Sequence, residues 1–194
     1  MSRPAVFLDR DGTLNEEVGY PSRWSQVRIF PTSFEAVRRL NAAGFLVVVV
    51  TNQSGVGRGY LTEAELKTLH LRMAKAFAAK GARLDAFYYC PHYNLSAYPN
   101  YRLECLCRKP APGLALQAAA DLDLDLSRSY MIGDKSDDLK FGRAVGATPI
   151  LVLTGYGAES QKRIEGLDVR PAAVAADLRD AVDWILAREH PAGL

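Results

Sequence analysis

Net charge is nearly absent from this sequence, as are long apolar runs and low-complexity tracts. The formal charge is +2 over 194 residues, too small to mark a nucleic-acid or membrane surface. The longest apolar run, Phe45 to Val50, falls far short of the roughly 20 residues that a membrane-spanning helix needs. No signal peptide precedes the first apolar segment at Ala5, so a cytoplasmic location is expected. There is no internal repeat. The nearest approach, Asp121-Leu-Asp-Leu-Asp-Leu126, reads as a helix end entering a turn. Cysteine and histidine are rare, three of each, which makes their placement informative. The remaining composition, 48% hydrophobic and 24% charged, suits one globular α/β domain over residues 1–194 with little room for a second. No apolar stripe stands out, and a monomer is expected.

The apolar pattern alternates between two periods. Ala5–Asp9, Phe45–Thr51, Asp85–Cys90, Ser129–Asp134 and Pro149–Thr154 read as buried strands, each a short apolar run bounded by polar residues. Helical spacing covers Ser33–Ala43 and stops at Gly44. Thr62-x-x-Glu65 is a capping box for a helix running to about Lys80. Pro112 opens a helix at its favoured first position. Ser136–Val145 is helical up to Gly146, Val174 falls in a short edge strand, and Asp177–Arg188 forms the last helix. Such an order makes βαβ units, hence a parallel sheet covered on both faces. Ligands of these sheets bind beyond the carboxyl ends of the strands.

Four polar clusters sit at those ends: Asp9-Arg-Asp11-Gly12-Thr13, Thr51-Asn52, Arg108-Lys109-Pro110 and Gly133-Asp134-Lys135. Asp9 is placed to attack phosphorus as a nucleophile, dividing hydrolysis into two displacements. Asp11, two residues on, can protonate the leaving oxygen and then deprotonate water, as a general acid and base. Two carboxylates repel a phosphate dianion, so cations must balance the site. Asp9, the backbone carbonyl of Asp11 and Asp134 form a set for Mg²⁺, a hard ion that prefers oxygen ligands, with Lys135 a further candidate. Lys109 adds a fixed positive charge, while the Thr51 hydroxyl and Asn52 amide can bond phosphoryl oxygens. Asp138 could orient Lys109 or the metal's waters. Asp-x-Asp-Gly alone also occurs in calcium loops and turns; the four clusters at matched strand ends are what point to catalysis.

This constellation resembles the haloacid dehalogenase (HAD) superfamily of phosphohydrolases over nearly the whole chain. The family's first motif matches Asp9-Arg10-Asp11-Gly12-Thr13, its second Thr51, its third Lys109, and its Gly-Asp-x-x-x-Asp motif Gly133–Asp138. The resemblance implies a Rossmann-like (HAD-like) three-layer sandwich around a central parallel sheet. The family's large cap domains have no counterpart here, so a capless member with loops shaping access is expected.

All three cysteines and one histidine fall in Cys90-x-His92 and Cys105-x-Cys107, with twelve residues between the pairs. Three thiolates and an imidazole make a closed, tetrahedral Zn²⁺ site, structural rather than catalytic. Cys105 and Cys107 are too close in sequence for an ordinary disulfide. Zinc would staple a Pro- and Tyr-rich loop and fix Arg108 and Lys109, which follow Cys107 directly. Within the superfamily, this loop together with Thr51-Asn52-Gln53-Ser54-Gly55 and Cys107-Arg108-Lys109-Pro110 is similar to one small group acting on heptose bisphosphate or histidinol phosphate, and the twelve-residue spacing favours heptose. The resemblance assigns substrate contacts to Asp9, Arg10 and Asp11, to Glu17, Val18, Gly19 and Tyr20, to Thr51, Asn52, Gln53 and Ser54, and to Arg108 and Lys109. It implies a small sugar bisphosphate as partner, losing its C7 phosphate on the route to nucleotide-activated heptose and lipopolysaccharide core.

Other readings compete. Gly55-Val-Gly57-Arg-Gly59 invites a dinucleotide-binding reading, but its third glycine comes one residue early, and a flexible turn with Arg58 exposed is expected instead. Tyr88, Tyr89, Tyr93, Tyr98 and Tyr101 are expected to pack around the zinc loop rather than to stack on bases. A zinc-dependent nucleic-acid-binding module is opposed by the small net charge and the lack of a basic helix.

Overall fold

Runs of valine and other bulky apolar residues build the centre of the molecule. In the computed structural model, which describes residues 2–164, 166 and 169–189, six strands form one sheet. The chain runs β1 (Ala5–Leu8), α1 (Pro31–Ala42), β2 (Leu46–Asn52), α2 (Ser54–Gly57), α3 (Glu63–Ala78), β3 (Ala86–Cys90) and α4 (Gly113–Leu122). It continues through β4 (Tyr130–Gly133), α5 (Ser136–Ala144), β5 (Thr148–Val152), α6 (Gly157–Ile164), β6 (Ala173–Ala175) and α7 (Leu178–Glu189). The extremes of the 1–194 domain reading, Met1 and residues 190–194, lie outside the described residues, as do 165, 167 and 168.

Strand order is β3-β2-β1-β4-β5-β6 with every pair parallel. Phe7 sits in register with Val48 on one side and Met131 on the other. Successive strand residues point to opposite faces. Val6, Leu8, Val47, Val49 and Ile132 therefore join Leu40 of α1, Phe77 of α3 and Ile185 of α7 in one core. Phe7, Val48, Val50 and Met131 meet Leu114 of α4 and Phe141 of α5 in the other. This is the expected three-layer α/β sandwich. Because β1 and β4 are neighbours while their connections leave in opposite directions, the crevice beyond their carboxyl ends is the fold's natural binding place.

Element boundaries follow the expected ones closely. The capping box forms as read: Thr62 Oγ1 accepts from the Glu65 N–H, and the Glu65 carboxylate accepts from the Thr62 N–H. Asp177 caps α7, accepting from Asp180 N–H. Pro112 is the residue before its helix rather than the first one in it. Two α-helices were not anticipated, α2 and α6. The stretch expected to be a flexible turn, Gly55–Gly59, is instead mostly the buried helical turn α2, with Arg58 exposed after it. A Cβ on Gly57 would lie 2.8 Å from the Pro91 carbonyl oxygen, so this turn is seated directly against the loop that follows β3. Among the described residues no helix is long and apolar enough to cross a membrane.

Candidate active site

β1 delivers Asp9 to the rim, its N–H still bonded across the sheet to the Ile132 carbonyl at 3.0 Å. The chain then turns sharply, with Leu14 N–H donating to the Arg10 carbonyl at 2.9 Å. Gly12 takes φ +86°, and a Cβ there would stand 2.2 Å from Asp134 Oδ2, so both conformation and space demand glycine. The Asp9 carboxylate, 5% exposed, accepts from the Arg10 N–H at 2.8 Å.

Lys109 is 2% exposed, and its ammonium lies 3.0 Å from Asp9 Oδ1, 2.6 Å from Asp138 Oδ1 and 2.8 Å from the Val50 carbonyl. All three of its hydrogens are thereby engaged. Burial alone would push its pKa down, but the charges of Asp138 and Asp9 more than offset this and keep it cationic. The Lys109 peptide is held as well: Asn52 Nδ2 donates to its carbonyl, and its N–H donates to Asn52 Oδ1, both at 3.0 Å. The Asn52 amide thus clamps the third motif to the second, whereas the sequence had suggested a phosphoryl contact.

Asp134 is 0% exposed. Its Oδ2 accepts from the Tyr156 N–H at 2.8 Å, while its Oδ1 has no hydrogen-bond partner. Burial and then the charge of Asp9 push its carboxyl up to about 7. Burial likewise raises Asp138 to about 6, against the pull of Lys109. Oxygens of Asp9, Asp134 and Asp138 lie within 4.8 Å of one another. Three crowded carboxylates, one with an orphaned buried oxygen and only the Lys109 ammonium buried among them, fit a hard divalent cation such as Mg²⁺. Lys135 lies alongside, its ammonium 3.8 Å from Asp134 Oδ1 and 3.3 Å from Glu17 Oε2.

Asp11 turns its carboxylate to Arg10, whose Nη2 is 2.7 Å away, and to Asn15 and Gln53. Burial pushes this carboxyl up, but the Arg10 charge and the hydrogen bonds from Arg10, Asn15 and Gln53 outweigh it and hold the pKa below the ordinary value. Gln53 Nε2 donates to both Asp11 Oδ2 and Thr51 Oγ1. Since the Thr51 oxygen is already accepting, its own hydrogen is free to point at a ligand.

A cavity of about 330 Å³ gathers these groups. Its wall includes Asp9, Asp11, Glu17, Gly19, Tyr20, Thr51, Asn52, Gln53, Ser54, Arg108, Lys109 and Lys135, so most of the expected residues converge. Arg10 does not line it, being 1% exposed beneath the floor, nor does Val18, which is 40% exposed to solvent. Sequence reasoning missed Asp137 and Tyr156 in the wall. Tyr156 follows the carboxyl end of β5, where the strand-end rule could have found it.

Cys90, His92, Cys105 and Cys107 cluster as expected. Sγ of Cys105 is 3.5 Å from that of Cys90 and 3.2 Å from that of Cys107, and His92 Nδ1 is 3.2 Å from Cys107 Sγ. Two thiolates bound to one Zn²⁺ at about 2.3 Å each stand roughly 3.8 Å apart, so the set needs little adjustment to enclose that ion. Burial and the neighbouring sulfurs push the Cys107 thiol up, the situation that a coordinated cation reverses. Of the tyrosines, Tyr89 and Tyr101 both donate to Glu63 of α3, and Tyr88 bonds Asp121 instead.

Comparison with known proteins agrees with this geometry. A HAD-hydrolase-like family model matches residues 106–181. The chain is 43% identical to D-glycero-D-manno-heptose-1,7-bisphosphate 7-phosphatase of Thermosynechococcus vestitus, covering 98% of this chain and 100% of the relative. It is also 43% identical to D-glycero-beta-D-manno-heptose-1,7-bisphosphate 7-phosphatase of Vibrio cholerae, covering 96% and 98%. The crystal structure of D,D-heptose 1,7-bisphosphate phosphatase from B. bronchiseptica, complexed with magnesium and phosphate, superposes with a TM-score of 0.83 at 32% identity, over 95% of this chain and 99% of that one. From its fold, its site and these relatives, the chain belongs to the heptose-1,7-bisphosphate 7-phosphatase family of HAD-like hydrolases.

Proposed function

We propose that this chain is a Mg²⁺-dependent phosphatase that removes the C7 phosphate of D-glycero-D-manno-heptose 1,7-bisphosphate and spares the phosphate at C1, with residues 1–194 acting as one domain. The observation that carries the reading is the meeting of Asp9, Thr51, Lys109 and Asp138 at one cavity beyond β1, β2 and β4. Asp9 attacks phosphorus, the P–O ester bond breaks, and Asp11, which takes up a proton as the negatively charged phosphate binds beside it, gives that proton to the departing sugar oxygen, leaving an acyl phosphate on Asp9. Water then attacks that phosphorus, Asp11 takes the water's proton, and the bond from phosphorus to the Asp9 oxygen breaks to release inorganic phosphate. The ionised Asp11 that Arg10 favours suits this second half.

Lys109 holds Asp9 in line for attack. As Asp9 becomes esterified, the lysine hydrogen that it accepted turns to the phosphoryl oxygens, joined by the free hydrogen of Thr51. Asp9, Asp134 and the Asp11 carbonyl would hold Mg²⁺, with Lys135 beside it and Asp138 kept for Lys109; when bound, the ion offsets phosphate charge. Glu17, Gly19, Tyr20 and Ser54 face the sugar. Arg108, exposed at the mouth and near the His92 carbonyl, suits the distal phosphate. Cys90, His92, Cys105 and Cys107 would hold a structural Zn²⁺. Phosphate release from both anomers of the heptose bisphosphate and from histidinol phosphate, with and without Mg²⁺, tests the reading. A preference for histidinol phosphate of about tenfold or more in kcat/KM overturns the substrate assignment.

A further inference from the structure

Beneath the cavity floor lies a second polar layer. The Arg10 guanidinium donates from Nε and Nη2 to the Asp11 carboxylate at 2.7–3.1 Å, from Nη2 to Gln53 Oε1 at 3.0 Å, and from Nη1 to His70 Nε2 at 3.2 Å. His70 is 5% exposed on the face of α3 that otherwise buries Leu66, Met73 and Phe77. Its ring stacks on Phe87 at 4.7 Å between centroids and meets the edge of Tyr89. A guanidinium can only donate, so His70 Nε2 must accept, in the neutral ring. Burying two such groups among apolar side chains is costly unless their hydrogen bonds are matched. Here the matched bonds run from His70 through Arg10 to the Asp11 carboxylate, with Gln53 accepting beside it.

We infer that His70, through Arg10, is a positioning residue: the pair fixes the place and tilt of the Asp11 carboxylate for its two proton transfers. This rests on the reading of Asp11 as acid and base. An aromatic stack holds His70, His70 holds the outer edge of the guanidinium, and the opposite edge presents a two-pronged donor to Asp11. Proton transfer needs the donor and acceptor within hydrogen-bond reach of the reacting oxygen, so a loosened Arg10 should slow chemistry while leaving substrate contacts intact.

The test compares His70→Phe, which keeps the stack and loses the acceptor, with His70→Gln, which keeps an acceptor, and with Asp11→Asn as reference. All are assayed with Mg²⁺ on heptose bisphosphate and on p-nitrophenyl phosphate, whose leaving group departs without a proton. For His70→Phe, kcat on the heptose bisphosphate should fall about tenfold with KM within about twofold. On p-nitrophenyl phosphate the same variant should release a burst of nitrophenol, because forming the acyl phosphate needs no acid while hydrolysing it still needs the base. His70→Gln should recover most of the loss. Equal loss on both substrates without a burst, or a glutamine variant no better than phenylalanine at matched melting temperature, overturns the inference. If His70→Phe does not fold, His70→Asn, whose shorter amide falls short of Arg10, takes its place with the same expectations. A burst in Asp11→Asn but not in the His70 variants defeats the positioning role alone. No burst in Asp11→Asn defeats the acid–base reading beneath it.

Discussion

Asp9 accepts from Lys109, and in the proposed mechanism it also carries the phosphoryl group. Asparagine at position 9 has the same shape and can still accept from Lys109, but its amide is no nucleophile. Asp9→Asn should therefore lower kcat by at least about a thousandfold with an unchanged far-ultraviolet circular dichroism spectrum; appreciable remaining turnover would assign the nucleophile elsewhere. His70 offers a test that does not involve turnover. Burial, and then the Arg10 charge, push its pKa down to about 3 from the ordinary 6.5. Between those values the unfolded chain takes up a proton that the folded protein refuses, so stability is present above about 6.5 and is lost as pH falls toward 3. Urea denaturation of the wild type and of His70→Gln should accordingly show the wild type losing more stability from pH 7 to pH 4.5. Parallel curves would mean that this imidazole titrates normally in the fold.

The segment between β3 and α4 has its own anchors. Ser96 Oγ donates to the Gly57 carbonyl at 2.5 Å, Arg102 Nε donates to the Ser96 carbonyl at 2.6 Å, and Tyr101 reaches Glu63. Lys109 is fastened separately, by Asn52 at its peptide and by Asp9, Asp138 and Val50 at its ammonium. The sequence suggested that zinc holds Arg108 and Lys109 alike; in the structure Lys109 has these further anchors, while Arg108 is exposed and lies near the His92 carbonyl. Removing the proposed zinc with a chelator should lower the melting temperature and raise KM for the bisphosphate through Arg108, with a smaller effect on kcat. A collapse of kcat at unchanged KM would show that Lys109 depends on the metal after all. The short turn α2 escaped sequence reading because four residues carry no helical periodicity, and its two glycines looked like loop signals.

Across the whole molecule, the legible features were those that burial enforces. Five strands, the parallel sheet and the gathering of Asp9, Thr51, Lys109 and Asp134 at one rim follow from apolar runs ending in polar residues. The directions taken by polar side chains were not legible, because they depend on partners distant in sequence. Arg10 turned down to His70 and Asn52 turned to the Lys109 peptide, whereas Asp138 does meet Lys109 as its place four residues after Asp134 suggested. A site that crowds three carboxylates around one buried lysine, with Lys135 at its edge, should favour Mg²⁺ and an oxyanion bound together. With Mg²⁺ saturating, vanadate near a hundredfold over its dissociation constant should then raise the melting temperature by about 5 to 10 °C, and by clearly less with Mg²⁺ omitted; an equal shift with and without Mg²⁺ would mean two unconnected sites. Asp9 and Asp134 stand on opposite sides of the midline between β1 and β4, with the Asp9 N–H bonded across it to Ile132. That seam works as a ruler. On the proposed mechanism, a slip of one half of the sheet past the other by even a fraction of a rung should part the Asp9 oxygen from Asp134 and cost activity while every helix is still folded.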